Sequence, residues 1–590
     1  MTHSTVVSAF RATVAAYPDR VAFRTLGDET RWTWGELSSK ASALARGLHE
    51  LGLRPGERIG LMLGNRPEFN LCDVAAMLLG ATPFSVYTSY APEQIDYVLS
   101  DSGARILITE QAFLGRVLAA MEPSRPWRLI VVDGQPPPGA TTLAELAAAG
   151  VGSNFDLDRA AEAQRPDDPI TLIYTSGTTG NPKGVRITHR NVLGADRSAE
   201  GRVSWPEEAR VISWLPSAHI AERVAHHYLP MIHGVEVTCC PDPKQIGAYL
   251  AEVQPTWFFA VPRVWEKMMA GLRTALGALP DGGAGALAAI EAGVRAVRLT
   301  QAGQPVPAEL TAELATAERE LFAGLRRRLG FGSLLTANVG AAPTPPEVLE
   351  FFHAIGVPVA ELWGMSESTG SGTSNPPDRI KIGTVGLPSD NVELKLAEDG
   401  EILVRSEVVM AGYHDRPEQT AATVVDGWLY TGDIGVLDED GYLTIVDRKK
   451  ELIINAMGKN MSPALIESRL KAASPLIGQA CCIGDGRSYN TALIVLDPDE
   501  APAWARRQGI PGVDADTGLA VLAGLEPVRA AIQEAVDAAN DRLSRVEQVK
   551  KFAIVPGDWP PAGDELTPTM KLRRTPIARK YAGLIEAMYR

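Results

Sequence analysis

YTSGTTGNPKG, residues 174–184, is a run of small and hydroxylated residues that can neither build a core nor hold a helix. It follows the apolar run Ile170 to Tyr174, which reads as a strand, so its glycines sit in a loop at a strand end, where phosphate sites of open sheets tend to lie. Gly177, Gly180 and Gly184 let backbone N–H groups turn toward an anion. Thr175, Ser176, Thr178 and Thr179 add hydroxyls, and Lys183 adds a mobile positive charge. A polyphosphate grip is the chemical reading, and a plain polar turn is the alternative. A P-loop is excluded. It needs G-x-x-x-x-G-K-[ST], whereas Lys183 stands between Pro182 and Gly184.

The text around the stretch alternates helical patterns with short apolar runs. In WTWGELSSKASALARGLHELG, Leu37, Ala41, Leu44 and Leu48 share one helical face, and ERIGLML follows as a buried strand. The pairing recurs in APEQIDYVLSDSG with ARILIT and in KQIGAYLAEVQP with TWFFAVP. This rhythm predicts an α/β fold of wound sheets with helices on their faces. Residues 271 to 329 are rich in Ala, Glu, Leu and Arg, which predicts a helical insertion. From Val385, VELKLAEDGEILVRS and IGVLDEDGYLTIVD read as hairpins of a small β unit spanning 385–446. The expected division is a large domain over 1–446 and a smaller, mobile α+β domain over 447–590, ending in the helix IARKYAGLIEAMYR.

At 590 residues the chain is too long for one hydrophobic core. A formal charge of −14 argues against a nucleic-acid partner, which needs a basic face to displace counterions. Cys72, Cys239, Cys240, Cys481 and Cys482 form no C-x-x-C and no disulfide framework, which fits a reducing cytosol. The N-terminal residues show no secretory signal, and the apolar run Val74–Leu79 is far too short to span a bilayer. A cytoplasmic protein is expected, with membrane contact, if any, peripheral to the inner face. Its oligomeric state is open between monomer and homodimer.

Further motifs follow the opening stretch in order: VGAAPTPPEV at 339–348, ELWGMSEST at 361–369, DGWLYTGDIG at 426–435, DRKKELIINAMGKNMSPALIE at 447–467 and LTPTMKLRR at 566–574. Together they resemble the signature motifs of the adenylate-forming superfamily, which contains acyl-CoA synthetases, peptide-synthetase adenylation domains and luciferases. The likeness spans nearly the whole chain.

The resemblance implies that a carboxylate attacks the α-phosphate of ATP, giving an acyl-adenylate and pyrophosphate, after which a thiol displaces AMP. It places Mg²⁺ at Glu367 and Thr175, both hard oxygen ligands. Gly340, Ala341, Ala342 and Pro343, with Glu361, Leu362, Trp363, Gly364 and Ser366, correspond to the adenine segments. Trp363 and Ser366 stand where the family commonly has tyrosine and threonine. Asp433 and Arg448 correspond to the ribose contacts, and Lys571 to the lysine between carboxylate and α-phosphate. Lys450 corresponds to the hinge, within 447–450, and Gly458 to a turn lining the channel of coenzyme A. Met457 stands where a second glycine is common.

WLPSAHIAERVAHHY at 214–228 corresponds to the motif closing the acyl pocket. Ser217, Ala218 and His219 replace the aspartate that amino-acid-activating domains use for an α-ammonium. His219, His226, His227 and His233 have no zinc-ligand spacing and read as pocket and core histidines. AVPRVWEKMMAGL resembles the corresponding segment of long-chain fatty acyl-CoA synthetases. Trp257, Phe258, Phe259, Val261 and Trp265 either line an apolar tunnel or are core. The expected enzyme is a long-chain fatty acid:CoA ligase with catalytic Lys571, Lys183, Glu367 and His219. The alternatives are a fatty-acyl-AMP ligase serving a carrier protein, a CoA ligase for an aromatic or other specialised acid, and a non-catalytic nucleotide sensor.

Overall fold

The computed structural model describes residues 3–121, 127–175, 181–279, 282–456, 459–514 and 517–590. Ser176, Gly177, Thr178, Thr179 and Gly180 of the opening stretch, and Met457 and Gly458 of the channel turn, lie outside the described residues.

The fold is α/β. The strands Thr82–Ser85, Arg58–Met62, Ile106–Thr109 and Arg128–Val131 form a parallel sheet with Thr141–Thr142 at its edge. The helix Trp34–Leu51 packs beside it because Leu37, Ala41, Leu44 and Leu48 recur on one face, all fully buried. Each leucine contributes roughly 2 kcal/mol by leaving water. The helix starts where Thr33 and Glu36 cap each other reciprocally and stops at Gly52 in the left-handed region.

A second sheet sets Arg210–Ser213, Glu236–Cys239 and Val21–Thr25 in parallel, with Arg31–Thr33 antiparallel at its edge. A third holds Trp257–Ala260, Thr336–Val339 and Val359–Trp363 in parallel. Between the first two of these strands the chain runs through helices Pro262–Gly277, Ala284–Gln301, Ala308–Ala317 and Ala323–Arg328. The first starts ahead of the Ala-rich text because Pro262, with its fixed φ and missing N–H, suits a first helical turn.

The opening stretch sits differently from its predicted place at the end of a wound-sheet strand. Pro169–Thr175 pairs antiparallel with Lys183–Thr188, and Gly412–Tyr413 joins the far edge, so the two flanks of the opening stretch are neighbouring strands of a small antiparallel sheet. The alternation of β-branched Val185 and Ile187, with Arg186 between them, suits the strand that pairs with Pro169–Thr175.

The strands Glu393–Leu396, Glu401–Arg405, Trp428–Leu437 and Leu443–Arg448 make an antiparallel unit. Beyond it, Ile477–Ile483, Asn490–Leu496 and Val549–Ile554 form a mixed sheet. Ile466, Ile494 and Ile532 pack in one core there, and Leu493, Trp559 and Ile585 in another. The terminal segment read as one helix is two, Arg574–Lys580 and Ala582–Tyr589, broken at Tyr581. The five cysteines are buried and free, and burial pushes the Cys240 and Cys481 thiols up to about 12.

Candidate active site

Trp363 ends the strand Val359–Trp363, and its indole Nε1 donates to Asp433 Oδ2 at 2.9 Å. Asp433 and Arg448 are direct partners in the ladder between Trp428–Leu437 and Leu443–Arg448, so register alone brings their side chains together. Arg448 Nε lies 3.1 Å from Asp433 Oδ1 without hydrogen-bond alignment, and that oxygen is buried with no donor among the described residues. A buried carboxylate oxygen lacking a donor is costly unless a ligand supplies one. A pair of sugar hydroxyls would.

A second cluster joins the phosphate loop to the predicted metal ligand. Lys183 is the ladder partner of Thr175, and its ammonium lies 5.0 Å from the centre of the Tyr413 ring. Tyr413 Oη donates to Glu367 Oε1 at 2.9 Å. Glu367 is held in a tight turn, Ser366–Ser368, because its carbonyl accepts the Met410 N–H at 2.8 Å and Thr369 Oγ1 donates to the Val408 carbonyl at 2.7 Å. Sequence reasoning missed Tyr413. Its signal, AGYHD, is an aromatic beside charged residues on a short edge strand, which has no motif spacing to recommend it.

Lys571 sits on a turn closed twice by Thr567, whose Oγ1 accepts the Lys571 N–H at 3.0 Å and whose N–H donates to the Lys571 carbonyl at 2.9 Å. Arg448, Asp433, Glu367 and Glu451 are its charged neighbours. Enclosure by protein, with the Arg448 charge, pushes the ammonium down, and the three carboxylates oppose that push. The residue nevertheless keeps an exposed surface, as a cleft lysine does and a core lysine does not. His219 caps the short helix Ile220–Arg223, its Nδ1 accepting the Ala221 N–H at 3.2 Å. Burial and then the Lys571 charge drive its pKa down to about 4, so at neutral pH the ring is uncharged and carries its proton on Nε2.

The other predicted residues are spread around these clusters. Gly340 to Pro343 follow the strand Thr336–Val339, with Ala341 at φ 70° and Ala342 and Pro343 exposed. Gly364 has no room for a side chain, since a Cβ would lie 2.3 Å from the Gly370 carbonyl oxygen. Glu361 points elsewhere: it accepts the Gly383 N–H at 3.1 Å, and burial pushes its carboxyl up to about 8. Lys450 is exposed and makes no ion pair among the described residues. Lys449 beside it pairs with Asp399 at 2.5 Å and Glu401 at 2.9 Å.

An apolar cavity opens beside the strand that carries Trp363, walled by Ala199, Val224, Leu229, Trp257, Phe259 and Leu362. The aromatic run divides by strand alternation. Trp257 and Phe259 face the cavity, whereas Phe258 turns to a core with Trp214, Trp265 and Phe331. His226 and His227 are structural. Glu222 accepts from Asn65, Ser213 and the Leu215 N–H and pairs with His226 at 2.7 Å, while buried Asp73 pairs with Arg223 and His227. These bonds brace a π-helical turn, Val224–Tyr228, that presents Val224 and Ala225 to the cavity.

Among the described residues no three His, Cys, Asp or Glu side chains gather as a metal cage. Glu367, linked to Thr175 through Tyr413 and Lys183, offers the hard oxygen that suits Mg²⁺, an ion that keeps waters and takes one or two protein oxygens beside substrate phosphates. No helix among the described residues is long and apolar enough to cross a membrane.

Residues 10–414 match the family described as AMP-binding enzyme, and residues 450–590 match the AMP-binding enzyme C-terminal domain. A Mycobacterium tuberculosis protein provisionally named fatty-acid–CoA ligase fadD11 is 48% identical over 456 residues, 77% of this chain and 79% of that one. Long-chain-fatty-acid–CoA ligase FadD15 of the same organism is 36% identical over 585 residues, 97% of this chain and 95% of its own. Among solved structures, the A domain of carboxylic acid reductase from Segniliparus rugosus, in complex with AMP and a co-purified carboxylic acid, superposes with a TM-score of 0.74 at 20% identity, covering 100% of this chain and 94% of that chain. With one family description matched over most of its length and a second over its C-terminal part, this chain belongs to the AMP-binding enzymes.

Proposed function

We propose that the protein is an ATP-dependent long-chain fatty acid:CoA ligase, forming an acyl-adenylate and then the acyl-CoA, with release of pyrophosphate and AMP. One observation carries this reading. Leu362 and Trp363 are consecutive residues of one strand, and alternation sends Leu362 to the apolar cavity and Trp363 to Asp433. An apolar acid and a nucleotide held there meet at the end of the same strand. The family and the names of the relatives support the same substrates.

In this reading Asp433 Oδ1 and Arg448 hold the ribose, and Trp363 orients the aspartate. The acyl chain lies against Trp257 and Phe259, and its carboxylate reaches the α-phosphate between His219 and Lys571. The neutral His219 donates from Nε2 without adding charge. Lys571 brings two anions together and stabilises the charge that builds at phosphorus. Lys183, braced over Tyr413, steadies the departing phosphates. Mg²⁺, when bound at Glu367 and Thr175, supplies further charge neutralisation there. Residues 1–446 and 447–590 act as two units, with 447–450 as the hinge between them.

The test is pyrophosphate release across acids from C6 to C24 and aromatic acids, with and without CoA, at fixed ATP and Mg²⁺. CoA-dependent turnover peaking on long saturated chains is the expected result. Adenylate that accumulates regardless of CoA would point to a carrier-protein acceptor, and a peak on aromatic acids to a different substrate. No AMP formation with any acid would leave only nucleotide sensing.

A further inference from the structure

Lys571 belongs to the C-terminal residues, yet Glu367, Asp433 and His219 around it do not. What holds it there is not a shared core. Among the described residues the buried apolar clusters do not mix the two sides of residue 450, and only half-buried Ala562 packs across, against the cluster that includes Phe84 and Tyr174. Two groups of ion pairs do cross. Asp497 Oδ2 lies 2.9 Å from Arg263 Nη2 and 3.4 Å from Lys267 Nζ, while Asp497 Oδ1 accepts the N–H groups of Asp499 and Glu500. Arg263 also donates to the Ile477 carbonyl at 3.2 Å. On the other flank, Glu347 receives Arg469 at 2.7 Å and Arg542.

We infer that Arg263, Lys267 and Asp497, with Glu347, Arg469 and Arg542, are positioning residues for adenylation, holding the C-terminal residues so that the Thr567–Lys571 turn presents its ammonium to the α-phosphate. The inference rests on the ligase reading above. Both anchors start from helix ends next to the site. Arg263 and Lys267 lie in the first two turns of the helix that follows the cavity strand Trp257–Ala260, and Glu347 opens the helix that follows the turn Gly340–Pro343. Asp497 is almost wholly buried and the cations are partly exposed, so the contacts fix orientation more than they add binding strength. Their loss should fall on the step that uses Lys571. The thiol attack, which needs no ammonium at the α-phosphate once the adenylate exists, should be spared.

Full-length Arg263→Gln/Lys267→Gln, Glu347→Gln and their combination are compared with the wild type in two assays. One follows acid-dependent pyrophosphate release at saturating ATP, the other CoA thioester formation from supplied acyl-adenylate. Losing either anchor should slow pyrophosphate release about fivefold to tenfold, and losing both about fiftyfold, with thioester formation unchanged within twofold. Added salt should slow pyrophosphate release by the wild type and leave the combined variant nearly unaffected. Wild-type pyrophosphate release by the combined variant overturns the inference, as does equal loss of both half-reactions. A wild type that releases no pyrophosphate with any acid instead sinks the ligase reading.

Discussion

Trp363 and Asp433 are tied by an indole-to-carboxylate hydrogen bond of 2.9 Å that leaves the other carboxylate oxygen buried, 3.1 Å from Arg448 and without a donor among the described residues. The tie makes Asp433 an acceptor aimed before any ligand arrives. Asp433→Ala should raise the KM for ATP on the order of tenfold to a hundredfold, the range for a hydrogen-bonded charged group. Trp363→Phe, which keeps a ring and loses the donor, should raise it only a few fold. Steady-state kinetics with ATP varied at fixed acid and CoA measures both, and a Trp363→Phe effect as large as that of Asp433→Ala would show that the ring, not the bond, matters.

Lys571 is the group whose removal should separate the two half-reactions most sharply. Lys571→Ala should cut acid-dependent pyrophosphate release at least a hundredfold, the size seen when a donor to developing charge is removed. CoA transfer from supplied acyl-adenylate should continue near the wild-type rate. Equal loss in both assays would contradict the role.

Tyr413 carries two contacts that substitution can separate. Burial, with the nearby Glu367 charge, raises its pKa, so the phenol stays a neutral donor to Glu367 at working pH. Tyr413→Phe keeps the ring beneath Lys183 and loses only that donor, and should raise the apparent Mg²⁺ requirement about tenfold. Tyr413→Ala removes both contacts and should also raise the KM for ATP. Mg²⁺ titrations at fixed ATP distinguish the two variants.

Glu361 gives a prediction in pH. Its folded pKa of about 8 lies above the ordinary 4.5, so the folded state keeps a proton that the unfolded chain releases. The favourable contribution is fully present below pH 4.5 and is lost as pH rises toward 8, on the order of 4 kcal/mol over that window. Glu361→Gln, which is neutral at every pH, should therefore raise Tm near pH 8 and leave it little changed near pH 5. Thermal melts across that range check the sign.

The order of the motifs determined the family reading, because each brings residue types that a polyphosphate, a ribose or a carboxylate needs. Local periodicity determined much of the framework as well. Leu37, Ala41, Leu44 and Leu48 share a face at helical spacing, and VELKLAEDGEILVRS and IGVLDEDGYLTIVD contain the strands of antiparallel hairpins as read. Such features are legible because they depend on neighbours a few residues away.

Tertiary structure decided what depends on distant partners. Tyr413 reaches Glu367 across 46 positions, and Asp497 reaches Arg263 across 234, and no local pattern encodes either pairing. Glu361 stood within a binding motif, yet the fold buries its carboxyl toward Gly383, while Trp363, two residues on, reaches Asp433. YTSGTTGNPKG reads as a phosphate loop by composition, but that its flanking strands pair antiparallel and that Lys183 lies over Tyr413 is set by pairing with residues more than two hundred positions away. Sequence determines which groups are present and which local shapes they prefer. Which groups meet is settled by packing, because burial and sheet register act on residues the chain keeps far apart.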